Sequence, residues 1–367
     1  MMYICRPKKK SFMKKQKIYV IVACLLAILS VLAIIYKSGG LKKSTPTIST
    51  IFAIEDTTAV TRIFMADMFQ SKVLLSKTDT GWMVNNEKPA AIHKIAELLT
   101  TLNALRVAQP VAKAAHNSTI QMLATSATKV EIYAKKPLFT LFGITFFTKE
   151  RLIKTYFMGD ATQNNLGSFA LLEGLPEPYI IYKPGFRGYV TPQFSPNPID
   201  WYSHTIFDTK LTRIQNASFI DLENPENSFF VEKSSTRTFS LFDSEHKIIQ
   251  NYDTTLLINM LSEFRQRNYE QLLYKVSSSF KDSILPNLYK IISVTDVNNK
   301  ITTMKLYHLI EEGSLYEDGD LVSDVYQEFS RDRSYATLND NTDEIYTIQF
   351  FHFERQIQPL SYYLKKR

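Results

Sequence analysis

Cysteine is absent beyond residue 24: the two in the chain, Cys5 and Cys24, both lie near its start. The rest of the protein therefore forms no disulfide, offers no thiolate metal site and has no cysteine nucleophile. Glycine and proline are scarce, 11 and 14 among 367 residues, which excludes collagen-like and low-complexity chains. Acidic residues are missing before Glu55, whereas residues 1–43 carry ten basic ones. Removing those ten from the 43 Lys and Arg leaves 33 basic against 36 acidic side chains. The net charge of +7 thus belongs to the N-terminus, and the bulk has no overall positive field for a polyanion. Nucleic acid is not an expected partner.

Catalytic signatures are missing as well. The histidines are His93, His116, His204, His246, His308 and His352. None stands three to five residues from another, so there is no helical zinc pair and no H-E-x-x-H. No G-x-S-x-G elbow, Walker A loop or G-x-G-x-x-G occurs. The reading is a protein that is not an enzyme, without catalytic residues, metal ligands or cofactor; a Ser/His/Asp set needs only spatial proximity and stays open. Asp318-Gly319-Asp320 with Asp324, preceded by Glu311, Glu312 and Glu317, is rich in oxygen ligands. It departs from the EF-hand pattern, with Val322 at the third alternate position and no glutamate at the twelfth, and reads as a solvated acidic turn.

What is present begins with Ile18–Tyr36, an uncharged apolar run bracketed by Lys17 and Lys37. As a helix it measures roughly 28 Å, which predicts a single transmembrane span over 18–36. The basic segment 1–17 before it puts the N-terminus in the cytoplasm and the bulk outside. No A-x-A site follows the run, and the apolar stretch continues well past Cys24, against a cleaved signal or a lipid-attachment box. Either Met1 or Met13 is the start.

Residues 37–60 read as a linker or first strand. Beyond them two modules follow, 61–190 and 212–367, joined by a loop over 191–211. The expected fold class is α+β, each module an antiparallel sheet plus an amphipathic helix. Corresponding segments recur in order. Thr61-Arg62-Ile63 parallels Thr212-Arg213-Ile214, and residues 72–77 parallel 228–234. The helix over 89–106, with Pro89 at its first position and Ile92, Ile95, Leu98, Leu99, Leu102 and Leu105 on one face, parallels an apolar run behind the N-cap candidate Asp253. Segments 118–133, 154–160, 167–174 and 178–186 parallel 281–295, 302–309, 333–340 and 344–353.

Aromatic residues are plentiful, 24 Phe and 20 Tyr, as a β-rich fold favours. Between the modules lies PGFRGYVTPQFSPNPIDWY, residues 184–202. Its Phe186, Tyr189, Phe194, Trp201 and Tyr202 form the candidate interaction loop, able to bury into a partner protein or to stack on sugar rings.

Gly81-Trp82-Met83-Val84, the 89–106 helix, Tyr156-Phe157-Met158-Gly159, the 178–190 stretch and Phe264 with Asn268-Tyr269-Glu270 resemble a bacterial family of the domain-of-unknown-function 4340 type. The resemblance covers roughly 50–360 and carries no catalytic residues. It implies an inner-membrane, extracytoplasmic protein accessory to an ABC-type transporter or envelope assembly. The expected function is protein interaction or scaffolding, with a transporter or envelope protein as partner; the alternative is a cell-envelope glycan-binding module using the aromatic loop.

Overall fold

A computed structural model describes the backbone of residues 10–37, 48–141, 144–235, 238–273, 275–317 and 320–365. Helix α1 (Lys10–Lys37) precedes strands β1 (Val60–Ala66), β2 (Lys72–Thr78), β3 (Gly81–Val84) and β4 (Lys88–Pro89). Then come α2 (Ile92–Ala104), β5 (Arg106–Pro110), α3 (His116–Ser126), β6 (Thr128–Leu141), β7 (Ile144–Ala161), β8 (Ser168–Leu172) and β9 (Tyr179–Tyr182). After β10 (Thr205–Phe207) the same kinds of element return as β11 (Ile214–Asp221), β12 (Phe229–Lys233), β13 (Phe239–Phe242), β14 (Ile248–Ile249), α4 (Thr254–Ser262), β15 (Arg267–Asn268) and β16 (Gln271–Leu273). The chain ends with α5 (Ser278–Ile284), β17 (Leu288–Asp296), β18 (Ile301–Glu317), β19 (Asp320–Leu338), β20 (Asn341–Gln349) and α6 (Leu360–Tyr363).

The described residues form two nine-stranded antiparallel sheets. One runs β4-β3-β2-β1-β6-β7-β8-β9-β5, the other β14-β13-β12-β11-β17-β18-β19-β20-β16. Position by position the two orders correspond. The side chains explain the strands: Val73 and Leu75 on β2, and Val130, Ile132 and Ala134 on β6, are buried at alternate places. Asn85 and Asn86 (φ 52° and 59°) and Asn339 and Asp340 (φ 50° and 61°) turn two hairpins in the left-handed region that asparagine and aspartate tolerate. On α2 the residues Ile95, Leu98 and Leu102 face the first core, while Ile92 is exposed and Pro89 belongs to β4. Asp253 caps α4, accepting from the backbone N–H of Thr255 (2.8 Å) and Leu256 (3.1 Å).

Two expectations are corrected. The α+β class underrates the sheets: strand accounts for 43% of the chain and helix for 28%. The transmembrane span over 18–36 is not supported. The backbone is helical from Lys10 to Lys37, with side chains described and exposed over 19–31. Among the described residues no helix is long and apolar enough to cross a membrane. The inner-membrane placement, with the bulk of the chain beyond it, loses its support with the span.

The Thr-Arg-Ile correspondence is also shifted. Val60 and Ile214 each precede a bulge and pair with Ala134 and Asp296 respectively, so the register equates Val60, and not Ile63, with Ile214. Residues 51–54 are core rather than linker. Phe52 is fully buried against the rings of Tyr156 (5.6 Å) and Tyr179 (6.1 Å).

Each sheet buries its own core. Ile63, Leu75, Leu98, Val130 and Tyr156 belong to the first; Phe219, Val231, Leu257, Val294 and Phe353 belong to the second. The lobes meet where Ala90 bridges Tyr202, whose ring packs against both cores. The Ala91 N–H donates to Trp201 O and the Ser203 N–H to Pro89 O, both at 2.8 Å. Lys88 on β4 pairs with Glu344 on β20 across this seam.

Candidate functional site

The aromatic loop divides. Phe194 and Trp201 are buried in the first core, and the Trp201 indole N–H donates to Ser195 O at 2.9 Å. Tyr202 lies at the seam, with Lys88 Nζ 4.9 Å from its ring centre. Phe186 and Tyr189 remain exposed. The structure therefore does not gather the five rings on one accessible surface. Of the acidic stretch, Asp318 and Gly319 and the side chains of Glu312, Glu317, Asp320 and Asp324 lie outside the described residues, and among those described no group of His, Cys, Asp or Glu has metal-holding geometry.

Three partly buried polar clusters fix elements in place. Lys154 Nζ donates to the carbonyls of Ile51 and of Ala53 (2.6 Å for the latter), and the Tyr156 hydroxyl donates to Phe52 O. Together they pin residues 51–53 to β7. Burial pulls the Lys154 ammonium down to about 8 and pushes the Tyr156 hydroxyl up. At the seam His204 stacks on Tyr269 (4.6 Å), which lies 4.7 Å from Tyr346. Burial pushes the Tyr269 hydroxyl up to about 12, and burial, with Lys94 and His93 adding, lowers His204. At the root of β18, His308 is sandwiched between Tyr289 (4.0 Å) and Phe329 (3.9 Å), its Nε2 2.8 Å from Glu223.

Two features leave binding surface open. The first is a pair of ribbons. β6 pairs with β1 only as far as Ala134, and β7 reaches β8 only from Tyr156 onward. Beyond the root bonds from Lys135 N–H to Ala59 O and from Glu173 N–H to Thr155 O, β6 and β7 pair only with each other among the described residues, for example Lys136 with Lys149 and Pro137 with Thr148. In the second lobe, β18 and β19 do the same from Ile310–Phe329 to Glu317–Asp320. Each ribbon projects roughly 20–25 Å beyond its sheet. Lys135, Lys136, Lys149 and Arg151 are exposed on the first; its one acid, Glu150, is engaged by Arg62 at 3.0 Å. The second carries by sequence Glu311, Glu312, Glu317, Asp320, Asp324 and Glu328. Their charges are opposite.

The second feature is an open groove of about 950 Å³ in the first lobe. Its floor is Met122, Phe169 and Ile180; its rim includes Gln109, Ser118, Asp160, Gln163 and Asn164. The second lobe is an internal control. Met158 pairs with Ala170 as Leu306 pairs with Ala336, so Gly159 stands where the other sheet has Tyr307, and Phe169 where it has Tyr335. There the corresponding face is filled by Tyr307, Ile284 and Ile345, with Phe280 edge-on to Tyr335 at 5.6 Å. Openness is thus a property of the side chains in the first lobe and not of the topology.

Gly159 seats the helix beside this groove. A Cβ there would fall 2.6 Å from Leu123 Cδ2 and 3.0 Å from Met122 Sδ, so the ends of those two side chains would have to shift. Gly159→Ala is expected to cost about 1–3 kcal/mol in urea denaturation. A change near zero would mean that α3 is not held this closely.

Sequence reasoning missed both the ribbons and the groove. The Ser-Phe-Ala of 168–170 and Ser-Tyr-Ala of 334–336, taken with Gly159 against Tyr307, were the available signal for the groove. Compared with family models, with curated proteins and with solved structures, the chain matches none.

Proposed function

We propose that this chain is a non-enzymatic protein-interaction component whose two ribbons hold a partner protein. The observation carrying this reading is that, among the described residues, both ribbons extend past their sheets with no third strand alongside, apart from the Lys135 N–H donated to Ala59 O and the Glu173 N–H donated to Thr155 O at the root of the first. Such edges are templates for another chain. A two-stranded ribbon is by itself only marginally stable in water, so contact with a partner stabilises it. Lys135, Lys136 and Pro137 blunt one edge of the first ribbon against indiscriminate pairing. The partner surface is acidic where it meets the first ribbon and basic where it meets the second, a complementarity that sets register and speeds encounter. The family resemblance adds that the partner is a transporter or envelope protein.

The test is affinity capture from native extracts with the parent chain and with a Lys135→Glu, Lys136→Glu, Lys149→Glu variant. These exposed changes are expected to leave melting within the small range of ordinary surface substitutions. Capture of the parent's partner should fall more than about tenfold, and parent capture should weaken with salt. Undiminished capture by the variant, or by one carrying Glu311→Lys and Glu328→Lys, would overturn the reading.

A further inference from the structure

We propose that the groove between α3 and β5 is a binding site for a neutral oligosaccharide, independent of the ribbons. The lining contains one carboxylate, Asp160, and no Lys, Arg or His, which disfavours an anion. The side chains of Gln109, Asp160 and Gln163 make no hydrogen bond within the described residues. A purely apolar ligand would strip water from them without replacing it, at a cost for each. A peptide extending the sheet at β5 meets the turn over 48–50, which runs alongside that strand.

A sugar hydroxyl both donates and accepts, and the rim is mixed in the same way. Asn164 Oδ1 already accepts from Thr162 Oγ1 (2.7 Å) and the Leu166 N–H (3.1 Å), leaving its amide NH₂ to donate outward. Ser118 Oγ donates to Ala115 O at 2.9 Å, leaving its lone pairs to accept. Asp160 accepts only, and two adjacent hydroxyls suit its two oxygens. Beneath them, Met122, Phe169 and Ile180 offer an apolar floor for the C–H face of a pyranose ring. The wall is built before binding. The turn over 162–167 is closed by Thr162 N–H to Gly167 O (2.9 Å) and Gly167 N–H to Thr162 Oγ1 (3.2 Å), so little ordering is needed when a ligand arrives.

Titration calorimetry on the full chain with cellotriose, maltotriose and N,N′,N″-triacetylchitotriose tests this, with trigalacturonate and a neutral tripeptide as rivals. At least one neutral trisaccharide should bind. Asp160→Asn, an exposed change that should melt with the parent, and Phe169→Ala should each weaken it at least about tenfold. Phe186→Ala should leave binding unchanged, which separates the groove from the aromatic loop. Silence towards all three neutral trisaccharides would overturn the assignment. So would binding of either rival instead, or full affinity in Asp160→Asn. The ribbon variants should bind sugar normally, so failure of one reading does not carry the other with it.

Discussion

Stability should collapse once the pH passes about 10, and should do so more steeply than in a protein whose tyrosines are exposed. Tyr156 and Tyr363 are fully buried, and Tyr269, Tyr289 and Tyr346 nearly so. Burial raises all five hydroxyls, Tyr269 and Tyr289 to about 12, with a hydrogen bond to Glu344 adding for Tyr346. The sign follows from linkage. Unfolded tyrosines ionise near 10 while the folded ones stay protonated, so rising pH draws the chain toward the unfolded state. The stabilisation is complete below about pH 10 and is lost above it. Each such hydroxyl withdraws about 1.4 kcal/mol per pH unit. Tyr156 and Tyr363 alone remove about 3 kcal/mol by about pH 11, and the other three add to that loss. Against a typical total of about 5–15 kcal/mol that is a large fraction.

Lys154 acts with the opposite sign. Its folded value of about 8 lies below the ordinary lysine value, so the unfolded chain holds the extra proton between about 8 and 10.5. Stability therefore rises through that window as the cost of a charged, half-buried ammonium fades. Urea denaturation from about pH 7 to 11.5 should show a shallow rise and then a steep fall. In Tyr156→Phe the fall should be shallower, and in Lys154→Met the rise should vanish. A flat profile to about pH 11.5 would contradict the burial of these hydroxyls.

Trp201→Ala should destabilise the protein by about 3–5 kcal/mol, as should Phe194→Ala, because both rings are buried in the first core and truncation leaves a cavity. Trp201 also loses its hydrogen bond to Ser195 O. The exposed rings behave differently: Phe186→Ala and Tyr189→Ala should stay within about 0.5 kcal/mol of the parent. Thermal melts of the four variants separate the two pairs. Equal, small effects in all four would place Trp201 and Phe194 at the surface and restore a continuous aromatic face.

That division shows what a sequence can carry. The apolar face of α2, the alternation in β2 and the Asp253 cap are local patterns, and they were legible. Segments 72–77 and 228–234 hold the same place in their sheets, as do 154–160 and 302–309. Aromatic residues in an irregular loop have no period, so nothing in 184–202 separates buried Trp201 from exposed Tyr189. The ribbons depend on where neighbouring strands stop pairing, at Ala134 and Tyr307, which is set by partners distant in the chain. The acidic run on β18 and β19 therefore read as a turn. The groove is a difference between lobes, visible only once the register places Gly159 opposite the role of Tyr307. The expected membrane span was read from the length, hydropathy and flanking charge of 18–36, and among the described residues no helix is long and apolar enough to cross a membrane.

The interaction account is tested most directly by photo-crosslinking in cells, with a benzophenone amino acid placed in turn at Phe147, Phe329, Phe186 and Tyr189. All four side chains are exposed, and the first two lie on the ribbons. The account predicts that positions 147 and 329 crosslink to the same protein partner and that 186 and 189 do not. Crosslinks from the loop positions with silent ribbons would contradict it.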